Sequence, residues 1–347
     1  MVENPSFTQP FPDPSILETE CLHEGHAGSH PNSRSFDERE SDPRDFSWTA
    51  MGARASKTPV VGANEMLAGV PPKDFASDIR VVTYNLASAN DGPKWSVSHE
   101  HSERVRILQE LLLLTQADFL CLQESVFSET YFASYRRVEH VAMTHAGVTV
   151  LYVSDKWAIE RDTKTTSRHR SSLGFPLCVA LRQSDGVVAA VSSLHLEPFS
   201  GSREKRAAQV SAVGESLELL AAEFQSVCAL IVAGDMNMQR DESCQLAWLS
   251  DVATLDESDA RWPTFDVVNN DYNEDPSAPD TRPKTFRGRY DRVWVGGGLR
   301  PRRYSRLGDS KVSLSGEPGR FLSDHYGLLV DLELRAMNPQ ARSSPSS

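Results

Sequence analysis

Eight residues of this 347-residue chain are of the kinds that move protons or hold cations, and each closes or opens an apolar run: Asn85, Glu124, His195, Asp235, Asn237, Asp291, Asp324 and His325. The sharpest case is Cys228-Ala229-Leu230-Ile231-Val232-Ala233, which ends in Gly234-Asp235-Met236-Asn237-Met238-Gln239. An unbroken run of this kind is a strand covered on both faces, and a glycine at its end lets the backbone turn tightly. Asp235 and Asn237 stand two apart, so their side chains share one side while the backbone stays extended. A carboxylate beside a carboxamide can accept a proton, orient a water and hold a phosphoryl oxygen. Each residue alone has a plain structural reading: Gly-Asp-x-Asn an Asx turn, Asn85 a turn former, Glu124 a surface carboxylate, His195 a core histidine, Asp324 a cap. Their recurrence at strand ends points instead to one site. Hydrolysis of a phosphodiester asks for this inventory: a hard cation, a base for water, and donors for the pentacoordinate charge.

A glutamate with Asn and Asp oxygens and several waters suits Mg²⁺, with Mn²⁺ as a substitute; the absence of Cys ligands or a His-x-x-x-His pair argues against zinc. Asp324 and His325 are adjacent and cannot pair in an extended strand. Asp324 is therefore expected to orient a histidine from another strand, such as His195, while His325 faces the phosphate.

The elements that must position these groups follow an α/β pattern. Ile79 to Leu86 reads as a strand, and Val105, Leu108, Leu111 and Leu112 recur at helical spacing from about Ser102. Asp118 to Leu122 is a second buried strand, ending in Gln123-Glu124. Val148 to Val153 is a third. Leu177 to Arg182 and Val187 to His195, separated by Ser184-Asp185-Gly186, form a hairpin and so bring antiparallel pairing. Val210, Val213, Leu217, Leu220 and Phe224 mark a helix leading into the Cys228 strand. A short helix is expected near Asp241 to Leu249, then a polar loop from Asn269 to Pro283 and strands at Tyr290 to Val295 and Tyr326 to Leu334. Polar groups at the carboxyl ends of strands are where open α/β sheets place their ligands.

Composition sets the bounds. A core of this size needs no disulfides, and five cysteines without framework spacing read as small hydrophobes of a reducing compartment. No apolar stretch approaches the roughly 18 to 20 residues of a membrane span, so a soluble, intracellular protein without a membrane partner is expected. The net charge of -12 argues against non-specific duplex binding through bulk electrostatics. Residues 1–77, rich in Pro, Ser, Asp and Glu, read as a disordered acidic tail, 78–335 as the catalytic domain, and 336–347 as a second disordered tail. Arg282, Lys284, Arg287, Arg289, Arg292, Arg300, Arg302, Arg303 and Arg306 form a basic stretch able to track a nucleic-acid backbone, or simply to solubilise strand edges.

Thr83-Tyr84-Asn85, Leu122-Gln123-Glu124, Ser193-Leu194-His195, Gly234-Asp235-Met236-Asn237 and Ser323-Asp324-His325, in this order, resemble the endonuclease/exonuclease/phosphatase superfamily of Mg²⁺-dependent phosphoesterases. The resemblance implies a four-layer sandwich of two mixed β-sheets flanked by helices. It implies Glu124 as principal metal ligand with Asn85 beside it, Asp235 as acid/base for the attacking water, Asn85 and Asn237 orienting water and phosphate, and His195 and His325 stabilising the transition state. Within the superfamily, His195-Leu196-Glu197, the Gly-Asp-Met-Asn segment, Thr264-Phe265-Asp266 and Tyr290-Asp291-Arg292 are most similar to the tyrosyl-DNA phosphodiesterases acting on 5′ ends. That likeness implies a nuclear DNA-repair enzyme for topoisomerase adducts, with a single-stranded 5′ end bearing a tyrosyl adduct as substrate, Phe265 and Tyr290 against the terminal nucleotides, and Gln239 or Arg240 at a phosphate. Ala87 stands where that family has an Asp, Gln239 where it has an Arg, and Pro198 where it has a Ser. Other superfamily substrates (nucleic acid of other kinds, poly(A), inositol phosphates or phospholipids) and a catalytically dead scaffold are the alternatives.

Overall fold

The computed structural model describes residues 60–73, 78–87, 98–125, 127, 129–140, 148–162, 175–224, 227–244, 246–255, 262–272, 285–313 and 319–334. All lie in one compact unit, Ala55–Ser347. The strands are β1 (Val60–Val61), β2 (Ile79–Asn85), β3 (Phe119–Ser125), β4 (Tyr135–His140), β5 (Val148–Ser154), β6 (Trp157–Asp162), β7 (Leu177–Arg182), β8 (Val188–His195), β9 (Val227–Asp235), β10 (Ser250–Asp251), β11 (Phe265–Asp266), β12 (Arg287–Gly288), β13 (Asp291–Gly296), β14 (Leu299–Leu307), β15 (Lys311–Val312) and β16 (Gly327–Leu334). The α-helices are α1 (Ala63–Ala68), α2 (Ser98–Leu114), α3 (Arg203–Glu223) and α4 (Val252–Leu255).

Two six-stranded mixed sheets, ordered β14-β16-β2-β3-β5-β4 and β10-β13-β9-β8-β7-β6, pack face to face. Alternation along each strand decides what they bury. On β2, Ile79 and Val81 enter the layer between the sheets with Cys121 of β3, Val191 of β8 and Ile231 of β9. Val82 and Tyr84, one residue out of phase, point the other way and meet Leu108, Leu111 and Leu112 of α2. On the far side, Ala190 and Val232 meet Val210, Val213 and Leu217 of α3. The result is the expected four-layer sandwich of helix, sheet, sheet and helix.

Two parallel pairs, β2 with β3 and β8 with β9, send their carboxyl ends to one rim. Because β13 runs antiparallel to β9, and β16 to β2, the first residues of β13 and the loop that feeds β16 reach the same rim. Asp291, Asp235 and His195 are register partners across β13, β9 and β8, a row of three functional groups on adjacent strands.

Four expectations need correction. Order does not wait until residue 78: β1 and α1 fall inside the stretch read as a tail, because β1 pairs in parallel with β15 and Met66 enters the core under α2. Helix α2 begins at Ser98, a turn before the expected cap at Ser102. Residues 241–244 and 246–249 form no helix, and the short helix falls at Val252–Leu255, where Asp251 Oδ1 accepts the Ala253 N–H. Strands β4, β6 and β14 were not anticipated; β6 and β14 carry too few alternating apolar residues, and their pairing with β7 and β16 supplies the order. Residues 1–59, 273–284 and 335–347, including most of both tails and the Asn269 to Pro283 loop, lie outside the described residues.

Candidate active site

The rim gathers residues from both sheets through the side chain of Asn85 at the end of β2. Its Nδ2 donates to Asp235 Oδ2 at 2.9 Å and to Glu124 Oε1 at 3.3 Å. Its Oδ1 accepts the Ala87 N–H at 3.0 Å, so Asn85 bridges two carboxylates as a donor, whereas the sequence reading gave it a place in the metal shell. Asp235 Oδ1 accepts the Asn237 N–H at 2.9 Å, and Asn237 Nδ2 donates to Leu196 O at 2.9 Å, tying the segment after β9 to the one after β8. His195 Nε2 and His325 Nε2 each lie 3.7 Å from Asp235 Oδ2.

Local backbone geometry aims these groups. Glu124, at the irregularity that breaks the β3–β5 register between Leu122 and Ser125, has φ of 48°, and Asn237 has φ of 47°. Asparagine tolerates the left-handed region; glutamate does so at a cost of order 1–3 kcal/mol. Gly234 lies so flat against β8 that an added Cβ would come within 2.0 Å of Leu194 O. Beneath the rim, Arg104 of α2 is fully buried and donates to the carbonyls of Leu322, at 2.6 Å, and Leu86. Ser323 Oγ donates to Asn85 O at 2.7 Å, so the loop carrying Asp324 and His325 is pinned to the end of β2.

The expected Asp324–His195 pairing does not form. His195 Nδ1 is buried with no hydrogen-bond partner among the described residues, and its Nε2 faces Asp235. The carboxylate that holds a histidine is Asp291, whose Oδ2 accepts the His325 Nδ1–H at 2.7 Å. Thr264 Oγ1 in turn accepts the Asp291 N–H at 2.9 Å. Burial alone would lower His325, but the carboxylates of Asp291 and Asp235 outweigh it and push it up to about 10, so this imidazole is a cation at neutral pH. Burial lowers His195 and keeps it neutral, Asp235 opposing the shift and His325 reinforcing it.

Glu124 is the group that calls for a cation. Burial first, then the Asp324 carboxylate, push it up to about 7, and its Oε2 is buried without a partner among the described residues. Asp235 and Asp291 also bring carboxylate oxygens within 4.8 Å of each other, beside the His325 ring. Oxygen donors, an unsatisfied carboxylate and no cysteine in the cluster fit a hard divalent ion.

The aromatic side of the rim lies against His325. The rings of Phe265 and Tyr290 are centred 5.1 Å and 6.4 Å from its imidazole, and the exposed Phe286 meets both. The Gln239 N–H is held by Glu242 Oε1, and Arg240 is exposed at the next turn. Four arginines of the basic stretch are paired within the protein: Arg289 with Asp251, Arg287 with Asp266, Arg302 with Asp78 and Glu333, and Arg306 with Asp309; Arg282 and Lys284 lie outside the described residues. Asp291 as the histidine's partner and Arg104 as the grip beneath were assigned no role from sequence. The signal for Arg104 was an arginine four residues before Leu108, on the apolar face of α2.

A twisted two-sheet sandwich with this ordered set of strand-end residues defines a phosphoesterase of a known class. The Endonuclease/Exonuclease/phosphatase family model matches residues 82–325, and the chain belongs to that family of hydrolases. Among solved structures, it is similar to truncated TDP2 of Caenorhabditis elegans, with a TM-score of 0.57 and 19% identity over 74% of this chain and 97% of that one. It is likewise similar to D. rerio TDP2 complexed with single strand DNA product (TM-score 0.53, 19% identity, 74% of this chain and 99% of that one). A Bacteroides thetaiotaomicron mannosyl-6-phosphatase is as close, with a TM-score of 0.55 and 17% identity over 74% of this chain and 99% of that one. At these identities the likeness carries the fold. No curated protein matches the chain in sequence.

Proposed function

We propose that the chain is a Mg²⁺-dependent phosphodiesterase that removes a tyrosyl adduct from single-stranded 5′ ends of DNA, in the nucleus, as a step in repairing topoisomerase adducts. The observation that carries this reading is the buried Glu124 oxygen, without a partner among the described residues, beside the Asn85–Asp235 pair and the Asp291-held His325 cation, with aromatic rings open on one side. The D. rerio TDP2 complex with single strand DNA product, on the same fold, supports the choice of polymer. Pairing of Arg287, Arg289, Arg302 and Arg306 with acids favours contact with a short terminal segment over tracking of a long backbone.

Glu124, with Asp235 and Asp324 nearby, would hold the divalent ion, which when bound neutralises charge on the phosphoryl oxygens. Asp235 Oδ2 takes the proton of the attacking water, while Asn85 and Asn237 fix that carboxylate and its flanking loop. The His325 cation donates to a non-bridging oxygen as negative charge builds on it, and the neutral His195 offers a second hydrogen bond. The water oxygen bonds to phosphorus, the bond to the tyrosine oxygen breaks, and the phenolate leaves with the electron pair. A phenol of pKa about 10 leaves without a strong acid, far more easily than a sugar alkoxide. A 5′-phosphate remains. The scaffold alternative predicts loss of an inner residue, and none is lost.

The test is a panel of 5′-phosphotyrosyl oligonucleotide, abasic DNA, RNA, inositol polyphosphate and mannose 6-phosphate, each with Mg²⁺ and with EDTA. Metal-dependent release of tyrosine is expected. Hydrolysis of another member with none of the first would overturn the substrate assignment.

A further inference from the structure

We propose that Phe199 binds substrate by stacking on the aryl ring of the leaving group, so that the scissile phosphate sits between two aromatic walls. The assignment rests on the diesterase reading above and sharpens its substrate class to diesters with an aromatic group on each side of phosphorus.

Phe199 stands four residues beyond His195, and its side chain is 68% exposed. Its backbone, with φ of 73° and ψ of 148°, occupies a region that belongs almost wholly to glycine. Such a conformation persists only where the surroundings impose it. Arg206, with no exposed surface, donates Nη1–H bonds to Phe199 O at 2.6 Å and Glu197 O at 3.0 Å. The same guanidinium is fixed by Glu242, which accepts from Nε at 3.0 Å and from Nη2 at 2.6 Å. Glu242 Oε1 also receives the Gln239 N–H, so the clamp joins the segment after β8 to the one after β9. A desolvated ion pair is a costly way to stabilise a fold, and here it grips two loop carbonyls and leaves a phenylalanine ring in water.

The strand order sets the side of the row from which the Phe199 backbone departs. Asp291, Asp235 and His195 are aligned on β13, β9 and β8, and neighbouring strands are about 4.8 Å apart. Tyr290 and Phe265 lie on the β13 side of Asp235, and Phe199 follows His195 on the β8 side. A phosphotyrosyl linkage carries a nucleobase on one side of phosphorus and a phenol on the other; a sugar phosphate carries neither. With Phe265 and Tyr290 given to the nucleotide, Phe199 is left for the phenol.

Two chromogenic diesters separate the walls: thymidine 5′-(4-nitrophenyl phosphate), with a base and an aryl group, and methyl 4-nitrophenyl phosphate, with the aryl group alone. Phe199→Ala should raise KM about tenfold for both esters with kcat little changed, Phe199→Trp should restore it, and Phe265→Ala should raise KM more for the thymidine ester than for the methyl ester. Phe199→Gly should raise KM equally while raising Tm by about 2–6 °C, because glycine relieves the backbone strain. Unchanged KM in Phe199→Ala, or a rise confined to the thymidine ester, would overturn the role. Failure of the unmodified chain to hydrolyse either ester while hydrolysing mannose 6-phosphate would instead overturn the diesterase reading, and Phe199's role with it.

Discussion

A single carboxylate shows how the site is poised. Glu124 has an ordinary value of 4.5 and is pushed up to about 7, so the folded chain holds its proton more tightly than the unfolded chain does. Its contribution to stability is therefore full below about 4.5 and is lost as pH rises through about 7. In metal-free protein at pH 8, Glu124→Gln should raise stability by up to ~3 kcal/mol, a gain that vanishes near pH 4. Mg²⁺ should raise the Tm of the parent at pH 8 and leave that of the variant where it was, and turnover by the variant should be lost. Thermal melts at both pH values, with and without Mg²⁺, check all of this; a variant no more stable than the parent at pH 8 would remove the case for an unsatisfied charge. The residue types were legible in sequence, but the Asp291–His325 pairing was not, since adjacency on a strand says which groups cannot meet and leaves open which distant ones do.

At the scale of elements, the parallel pair β8–β9 sets the row that carries His195 and Asp235. Gly234 sits in this pair with φ of 156°, and any Cβ there would strike the Leu194 backbone. Gly186, in the β7–β8 turn, has φ of 75° but open space around it. Gly234→Ala should therefore cost at least ~3 kcal/mol, whereas Gly186→Ala should cost only about 1 kcal/mol. Urea midpoints of the two variants measure the difference, and equal losses would mean that β9 is not held so closely to β8. The strands β2, β3, β8 and β9 were legible because both faces are buried and most of their residues are apolar. β14 was hidden, since its Arg300, Arg302, Arg303 and Arg306 read as a basic stretch while the order comes from its pairing with β16.

For the whole molecule, the segment from Val60 to Lys73 is a working part of the catalytic domain. Arg80, fully buried, binds Asp331 through Nε and Nη2 and gives its remaining bonds to the carbonyls of Pro71, Pro72 and Thr115. Lys73 pairs with Asp118, which also receives the Arg80 N–H and the Trp157 Nε1–H. A chain beginning at Asp78 should be less stable than one beginning at Ser56 by about 2–5 kcal/mol, because the guanidinium loses two acceptors and Met66 leaves the core. Denaturant unfolding of the two chains decides it; equal midpoints would return the segment to the status of a tail.

The inventory was readable from the chain alone: which groups could do phosphoryl chemistry, that apolar strands deliver them, and that they match one family in order. These follow from residue type and from periods of two and 3.6, which are local properties. Folding settled the partnerships: Asp291 with His325, Asn85 as the donor between Glu124 and Asp235, Arg287, Arg289 and Arg302 with acids distant in sequence, and Arg206 beneath Phe199. Those depend on strand order and register between segments far apart in the chain, which no local pattern records.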